Sequence, residues 1–391
     1  MPDLPKKLQS KLAGRAKDNA LRKLPVISSL VDFSSNDYLG FARDENIHDS
    51  ALNLLSESGQ IQNGATGSRL LSGNHPLYEK LEGKLAETFE AESTLVFNSG
   101  YDANVGFFST VPQRGDIIFY DEFIHASIRD GIKLGNAEGH KFKHNDLKDL
   151  TQKITLLLPD LSYRQGGSGS NETEIYIVTE SVFSMDGDSP DLKTLARYCK
   201  TNNYHLVVDE AHAIGVLGPK GTGLCQELGI HNQVFIRIIT FGKALGCHGA
   251  AILGNTALVD YLINFCRSFI YTTGLPPHSL ASILTALKLI SSSSESRKAL
   301  QDNITFFNNE VKKLSLGQLF IPSSTAVHCC VLPGNKYVVS VAKKLREEGF
   351  NVMPIRYPSV RAGQERLRFC LHSFNTKEEI SRVLKLLAKF I

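Results

Sequence analysis

Two apolar, β-branched runs, Tyr204–Asp209 (YHLVVD) and Val234–Thr240 (VFIRIIT), constrain this chain more than any other feature in it. Each reads as a strand buried on both faces, and each leads to a residue that a core tolerates poorly unless it is paired or neutralised. Asp209 ends the first run, and Lys243 follows the second after Phe241-Gly242. A carboxylate and an ammonium roughly thirty positions apart fit two strands of one α/β sheet, whose C-terminal ends are where such folds collect ligands. The small residues after Lys243 make the turn there tight and sterically open. Taken alone, Lys243 reads as a side chain emerging into solvent or as one that forms a Schiff base, which makes the amine part of a conjugated imine. A P-loop is excluded, because Arg237 and Ala244 stand where it requires glycine and Ser or Thr.

The Asp209 and Lys243 pair is what a pyridoxal phosphate enzyme needs: a lysine to hold the cofactor, and a carboxylate to keep its pyridine nitrogen protonated so that the ring acts as an electron sink. Around the pair stand VVDEAHAIGVLGPKGTG (207–223) and TFGKALG (240–246), with FSSNDYLG (33–40), TESVFSMDGDSPDL (179–192), IRYPSV (355–360) and RLRFCL (366–371). These motifs, in the order in which they follow along the chain, resemble the α-oxoamine synthases from about Arg22 to the C-terminus. The resemblance implies the α/β architecture of a fold-type I transferase dependent on pyridoxal phosphate. Its expected parts are an N-terminal arm (1–40), a large domain (41–285) with a mostly parallel seven-stranded sheet, and a small α+β C-terminal domain (286–391). The expected reaction is a decarboxylative condensation of an amino acid with an acyl thioester, on a homodimer with shared active sites.

Residue by residue, the resemblance implies that Lys243, Asp209, His212 and His125 are catalytic, with His125 stacking on the cofactor ring. Gly100 and Tyr101, at a strand-to-helix joint (LVFNSGYDAN, 95–104), are assigned to the cofactor phosphate, since free N–H groups and the positive end of a helix suit an anion. Ser184 and Thr240 complete the cofactor set, and Thr272 or Thr273 reaches the neighbouring subunit's phosphate. Without the resemblance His125 is an ordinary core histidine, and Ser184 a loop cap. Arg22, Asn36, Ser68, Arg356, Ser359 and Arg368 are the implied substrate residues, together with His125. By itself Arg22 is a helix-end charge, and Asn36 a turn residue bonding its own backbone. Arg368 alternates with Leu367 and Phe369, so a lone cation there wants a carboxylate, either a substrate's or a structural partner's. The Ile-Arg-x-Pro pattern at Arg356 matches the oxononanoate-forming branch, which implies L-alanine and a pimeloyl thioester. Ser68 in place of a threonine leaves room for alanine's methyl. Arg361 replaces a proline usual in the family.

The remainder excludes other classes. Lys and Arg total 43 against 40 Asp and Glu, too balanced for a nucleic-acid footprint. The seven cysteines include no Cys-x-x-Cys, which favours reduced thiols in a cytoplasm over a disulfide frame or a zinc site. His140 and His144 lie four apart with nothing beside them to complete a metal set, so no metal is expected. No apolar run approaches the ~20 residues of a membrane span. Leu4, Leu8 and Leu12 line one face of a basic N-terminal helix, expected to pack on the body or a partner subunit. A glycine- and serine-rich surface loop is expected over 159–173, and a polar patch within a helix at Ser291–Ser294.

Overall fold

The central strands of the larger sheet send alternate residues into two separate cores. Ile117 and Phe119 pack on one side with Ile175, Ile177, Leu206 and Val208. Ile118 packs on the other with Tyr176, Val178, Val207, Ile236 and Ile238. Burial on both faces is why these runs are apolar throughout, and it demands helices on both sides. A computed structural model describes residues 3–22, 24, 29–164 and 173–391. They form two compact units: a larger one of Leu39–Ser184 and Ser189–Arg297, and a smaller one of Met1–Tyr38, Met185–Asp188 and Lys298–Ile391.

The larger unit carries a seven-stranded sheet, ordered Ser93–Phe97, Ala250–Gly254, Ile236–Thr240, His205–Asp209, Ile175–Glu180, Ile117–Asp121 and Glu138–Phe142. The last five are mutually parallel, and Ala250–Gly254 runs antiparallel to both its neighbours. This is the mostly parallel sheet expected. Its registers pair Glu180 with Asp209 and Asp209 with Ile238, so adjacent strands end together and line Asp121, Glu180, Asp209 and Thr240 along one edge. Helix Pro76–Phe89 buries Leu77, Leu81, Leu85 and Phe89, as the four-residue spacing predicts.

Two local expectations need correction. Of the surface loop expected over 159–173, residues 159–164 are helical, the end of helix Leu147–Arg164, and residues 165–172 lie outside those described. The serine patch does not lie within one helix but at the joint between two, the first ending at Ser292 and the next starting at Ser294.

In the smaller unit Met353–Ile355, Arg366–Cys370 and Val327–Val331 form an antiparallel sheet, and Val31–Asp32 pairs in parallel with Phe350–Asn351. Helices Asn335–Glu347 and Lys377–Phe390 join it, the second started by a capping box between Thr376 and Glu379. Arg366 forms a buried ion pair with Asp186. The basic helix is present over Lys6–Lys17, but none of its residues is buried, and Leu4, Leu8 and Leu12 are exposed.

Candidate active site

In the larger unit the site is built on the sheet edge that carries Asp121, Glu180, Asp209 and Thr240. Asp209 is buried, and each of its carboxylate oxygens accepts one N–H: Oδ1 from the backbone of Ala211 at 2.9 Å, Oδ2 from Asn104 Nδ2 at 3.0 Å. Two donors hold the group as an oriented carboxylate. Lys243 is half-buried in the turn after Thr240, and Gly246 N–H closes that turn on the Lys243 carbonyl at 2.8 Å. Gly246 has φ +63° and lies against the backbone of Phe41 and Ala42, where any side chain would collide. The lysine's turn therefore depends on a bare backbone three residues on.

His125 follows the strand Ile117–Asp121 and caps helix Ala126–Leu134, its Nδ1 accepting the N–H of Ser127 at 3.3 Å. Burial lowers its pKa, so the imidazole is neutral near pH 7 even though the Asp209 charge pulls the other way. Glu180 Oε1 accepts the backbone N–H of His125 at 2.6 Å. Burial, assisted by the negative charge of Asp209, pushes the Glu180 carboxyl up to about 8. His212 is buried in the turn that follows Asp209. Its neighbour Glu210 is wholly buried, accepts the N–H of Cys225 at 3.0 Å, and faces the Arg237 guanidinium at 3.7 Å. That carboxylate anchors the glycine-rich stretch through Gly223, so GPKGTG is scaffolding around Glu210.

Gly100 opens helix Gly100–Thr110, which Ser99 caps through the N–H of Asp102. A methyl at position 100 would sit 2.6 Å from Thr240 Cγ2, so the bare helix end lies directly against Thr240. The Thr240 hydroxyl is buried and has no hydrogen-bond partner among the described residues. Tyr101 turns its ring outward, with its hydroxyl donating to Asp130 at 2.8 Å. Asn98 Nδ2 donates to Thr272 Oγ1 at 3.0 Å and to the carbonyl of Thr273 at 2.7 Å. The same segment is tied to the Ser68 loop by Gly274 N–H on the Gly67 carbonyl at 2.9 Å. Arg69 braces that loop with a two-pronged ion pair to Glu82, 2.6 and 3.0 Å, under the ring of Tyr78. Ser184 lies in the turn after the strand Ile175–Glu180, which Ser181 N–H fastens to the Asp209 carbonyl at 2.9 Å.

The smaller unit, taken by itself, holds two further clusters. Arg368 is buried and donates to Asn36 Oδ1 at 2.9 Å, which also accepts from the Tyr38 hydroxyl at 3.2 Å. Arg22 Nη2 donates to Ser359 Oγ at 3.2 Å across 337 positions, while Arg356 Nη1 donates to the Asn19 carbonyl at 2.7 Å. Arg22, Arg356 and Ser359 are thus brought together. His144 binds Asp121 through Nδ1 at 2.9 Å. Asn104, Ser127 and Glu180 escaped the sequence reading. The signal for Glu180 was a carboxylate ending an otherwise apolar run; for Asn104 it was an amide in the helix that packs on the sheet.

These residues fit pyridoxal phosphate. A bare helix N-terminus beside an unpartnered buried hydroxyl offers donors to a phosphate, and an oriented carboxylate, a neutral imidazole and a lysine share the same sheet edge. Sheet order and donor set together define an enzyme of fold type I dependent on pyridoxal phosphate. A family model described as aminotransferase class I and II matches residues 28–387. An 8-amino-7-oxononanoate synthase of Emericella nidulans is 39% identical, with 100% of this chain and 98% of that one covered. The 8-amino-7-oxononanoate synthase structure from Francisella tularensis is 32% identical with TM-score 0.74, covering 92% of this chain and 97% of that one. A serine palmitoyltransferase structure with bound PLP is 26% identical with TM-score 0.87, covering 100% and 98%. The chain therefore belongs to the aminotransferase class I and II family, and within it to the α-oxoamine synthases. It is an acyltransferase, and its cofactor is pyridoxal phosphate.

Proposed function

We propose that this enzyme condenses L-alanine with a pimeloyl thioester, releasing CO2 and the free thiol and forming 8-amino-7-oxononanoate. The observation that carries the reading is the convergence of Arg22, Arg356 and Ser359 from opposite ends of the chain. Two guanidinium groups and a hydroxyl suit the distal carboxylate of a dicarboxylic acyl chain, for which an acetyl or palmitoyl chain has no counterpart. The higher identity to the oxononanoate synthases than to the palmitoyltransferase supports the same choice.

When bound, pyridoxal phosphate supplies an electron sink for the carbanion at the amino acid's α-carbon. Lys243 Nζ would hold the cofactor at its aldehyde carbon, and as a free amine it would take the amino acid's α-proton. Asp209 keeps a proton on the pyridine nitrogen. Gly100 and Tyr101 N–H groups, with the Thr240 hydroxyl, seat the phosphate; His212 and Ser184 orient the ring. Arg368, steadied by Asn36, takes the amino acid's carboxylate. His125 stacks on the ring and polarises the thioester carbonyl. Ser68 leaves space for one methyl. A homodimer, with Thr272 or Thr273 donating to the neighbour's phosphate, completes each site. Seven unbridged thiols suit a reducing cytoplasm, and no helix among the described residues is long and apolar enough to cross a membrane.

Steady-state kinetics with alanine, glycine and serine against acetyl, succinyl, palmitoyl and pimeloyl thioesters tests the reading, each thioester on coenzyme A and on an acyl carrier protein. Alanine with pimeloyl thioester should give the highest kcat/KM. One methyl discriminates by ~1–3 kcal/mol, so glycine should follow by tens- to a few hundredfold. A higher kcat/KM for glycine or serine would overturn it.

A further inference from the structure

Asn104 and Ser127 have no assigned role, yet they link the two ionisable groups at the heart of the site. Asn104 is 2% exposed and Ser127 fully buried. Asn104 Nδ2 donates to Asp209 Oδ2 at 3.0 Å and to Ser127 Oγ at 3.1 Å, which uses both of its hydrogens. Its Oδ1 has no partner among the described residues, and turning the amide over would set that oxygen against the Asp209 carboxylate. The amide's orientation is therefore dictated by its two acceptors.

With Oγ accepting from Asn104, the Ser127 hydroxyl hydrogen is free to point at His125 Nδ1, 2.7 Å away. The Ser127 backbone N–H reaches the same nitrogen at 3.3 Å, the capping contact of helix Ala126–Leu134. Two donors aimed at Nδ1 leave no place for a proton on it. The geometry points to a relay, Asp209 to Asn104 to Ser127 to His125, that holds the neutral imidazole as its Nε2–H tautomer and makes His125 a hydrogen-bond donor. Burial keeps the ring neutral; the charged groups acting on it are Asp209, Lys243, Arg129 and Asp130. Asn104 and Ser127 are then positioning residues, and His125 offers Nε2–H to an acyl oxygen and cannot serve there as a base.

The inference rests on the proposed role of His125 at the acyl group, but its primary measurement does not. In holoenzyme labelled with 15N-histidine, the His125 signals are assigned by their loss in His125→Asn and read by long-range proton–nitrogen correlation. The expected result is an unprotonated Nδ1 and a protonated Nε2. In Ser127→Ala the signals should shift towards a mixture of tautomers, and Ser127→Thr, which keeps the hydroxyl, should restore them. With the preferred thioester, kcat of Ser127→Ala should fall about 10- to 100-fold, the usual cost of removing a positioned histidine's outer partner, while KM for the amino acid stays unchanged. A protonated Nδ1 in the wild type overturns the relay, as does a Ser127→Ala spectrum identical to wild type. A rise in KM with unchanged kcat would mark Ser127 as merely structural and also overturn it. Failure of the alanine and pimeloyl assignment leaves the tautomer measurement, and the relay, standing.

Discussion

Glu180 and His125 meet through a 2.6 Å hydrogen bond from the histidine's backbone N–H to the glutamate's Oε1, across 55 positions of sequence. The bond fixes where the helix bearing His125 starts, and it places a carboxyl group in the same buried region as Asp209.

Two carboxyls there do not both ionise readily, and Glu180 is the one that holds its proton, with a pKa of about 8 against 4.5 for an ordinary glutamate. Because its folded value is raised, the stability it lends is fully present below about pH 4.5 and is lost as pH rises through about 8. Glu180→Gln keeps the acceptor for His125 and cannot ionise. Its melting temperature should gain on wild type as pH rises from about 5 to 8; a constant difference across that range would show that Glu180 is ionised throughout.

Arg237 and Glu210 form a buried pair in which the guanidinium faces the glutamate, which also accepts the backbone N–H of Cys225. Arg237→Leu should cost about 3–5 kcal/mol in chemical denaturation, because it strands a buried carboxylate. Adding Glu210→Gln should recover much of that loss. If the double variant is as unstable as the sum of the singles, the two residues are not coupled.

Lys243→Ala should abolish turnover, together with the visible absorbance of the cofactor-loaded protein and any borohydride-reducible lysine adduct. Asp209→Ala should retain cofactor yet lose about 10²–10³ in kcat, the typical loss for one electrostatic stabiliser. An active Lys243→Ala enzyme would end the catalytic assignment of that lysine.

Arg22→Ala and Arg356→Ala should each raise KM for the pimeloyl thioester roughly tenfold, the scale of one hydrogen bond to a charged group, and leave amino-acid binding unchanged by spectral titration. Equal effects on acetyl and pimeloyl thioesters would detach the pair from a distal carboxylate.

Much of the fold was legible because its signals are local. The runs ending at Asp209 and Thr240 and the four-residue spacing in Pro76–Phe89 depend on neighbours within a turn or a strand. The limits of helix Leu147–Arg164 were not legible: Pro159 and the glycines and serines beyond it suggested a loop that starts too early. The Tyr101 side chain goes to Asp130, a partner that no spacing announces.

By itself the sequence determined that a lysine and an aspartate follow two buried parallel strands, because strand burial, strand length and an unsupported charge are properties of a short stretch of chain. Only the tertiary structure decided what those charges meet. Asn104 reaches Asp209 across 105 positions and Arg22 reaches Ser359 across 337. Hydrogen bonds form over about 3 Å, and which groups come that close is set by sheet order and helix packing, summed over the whole chain.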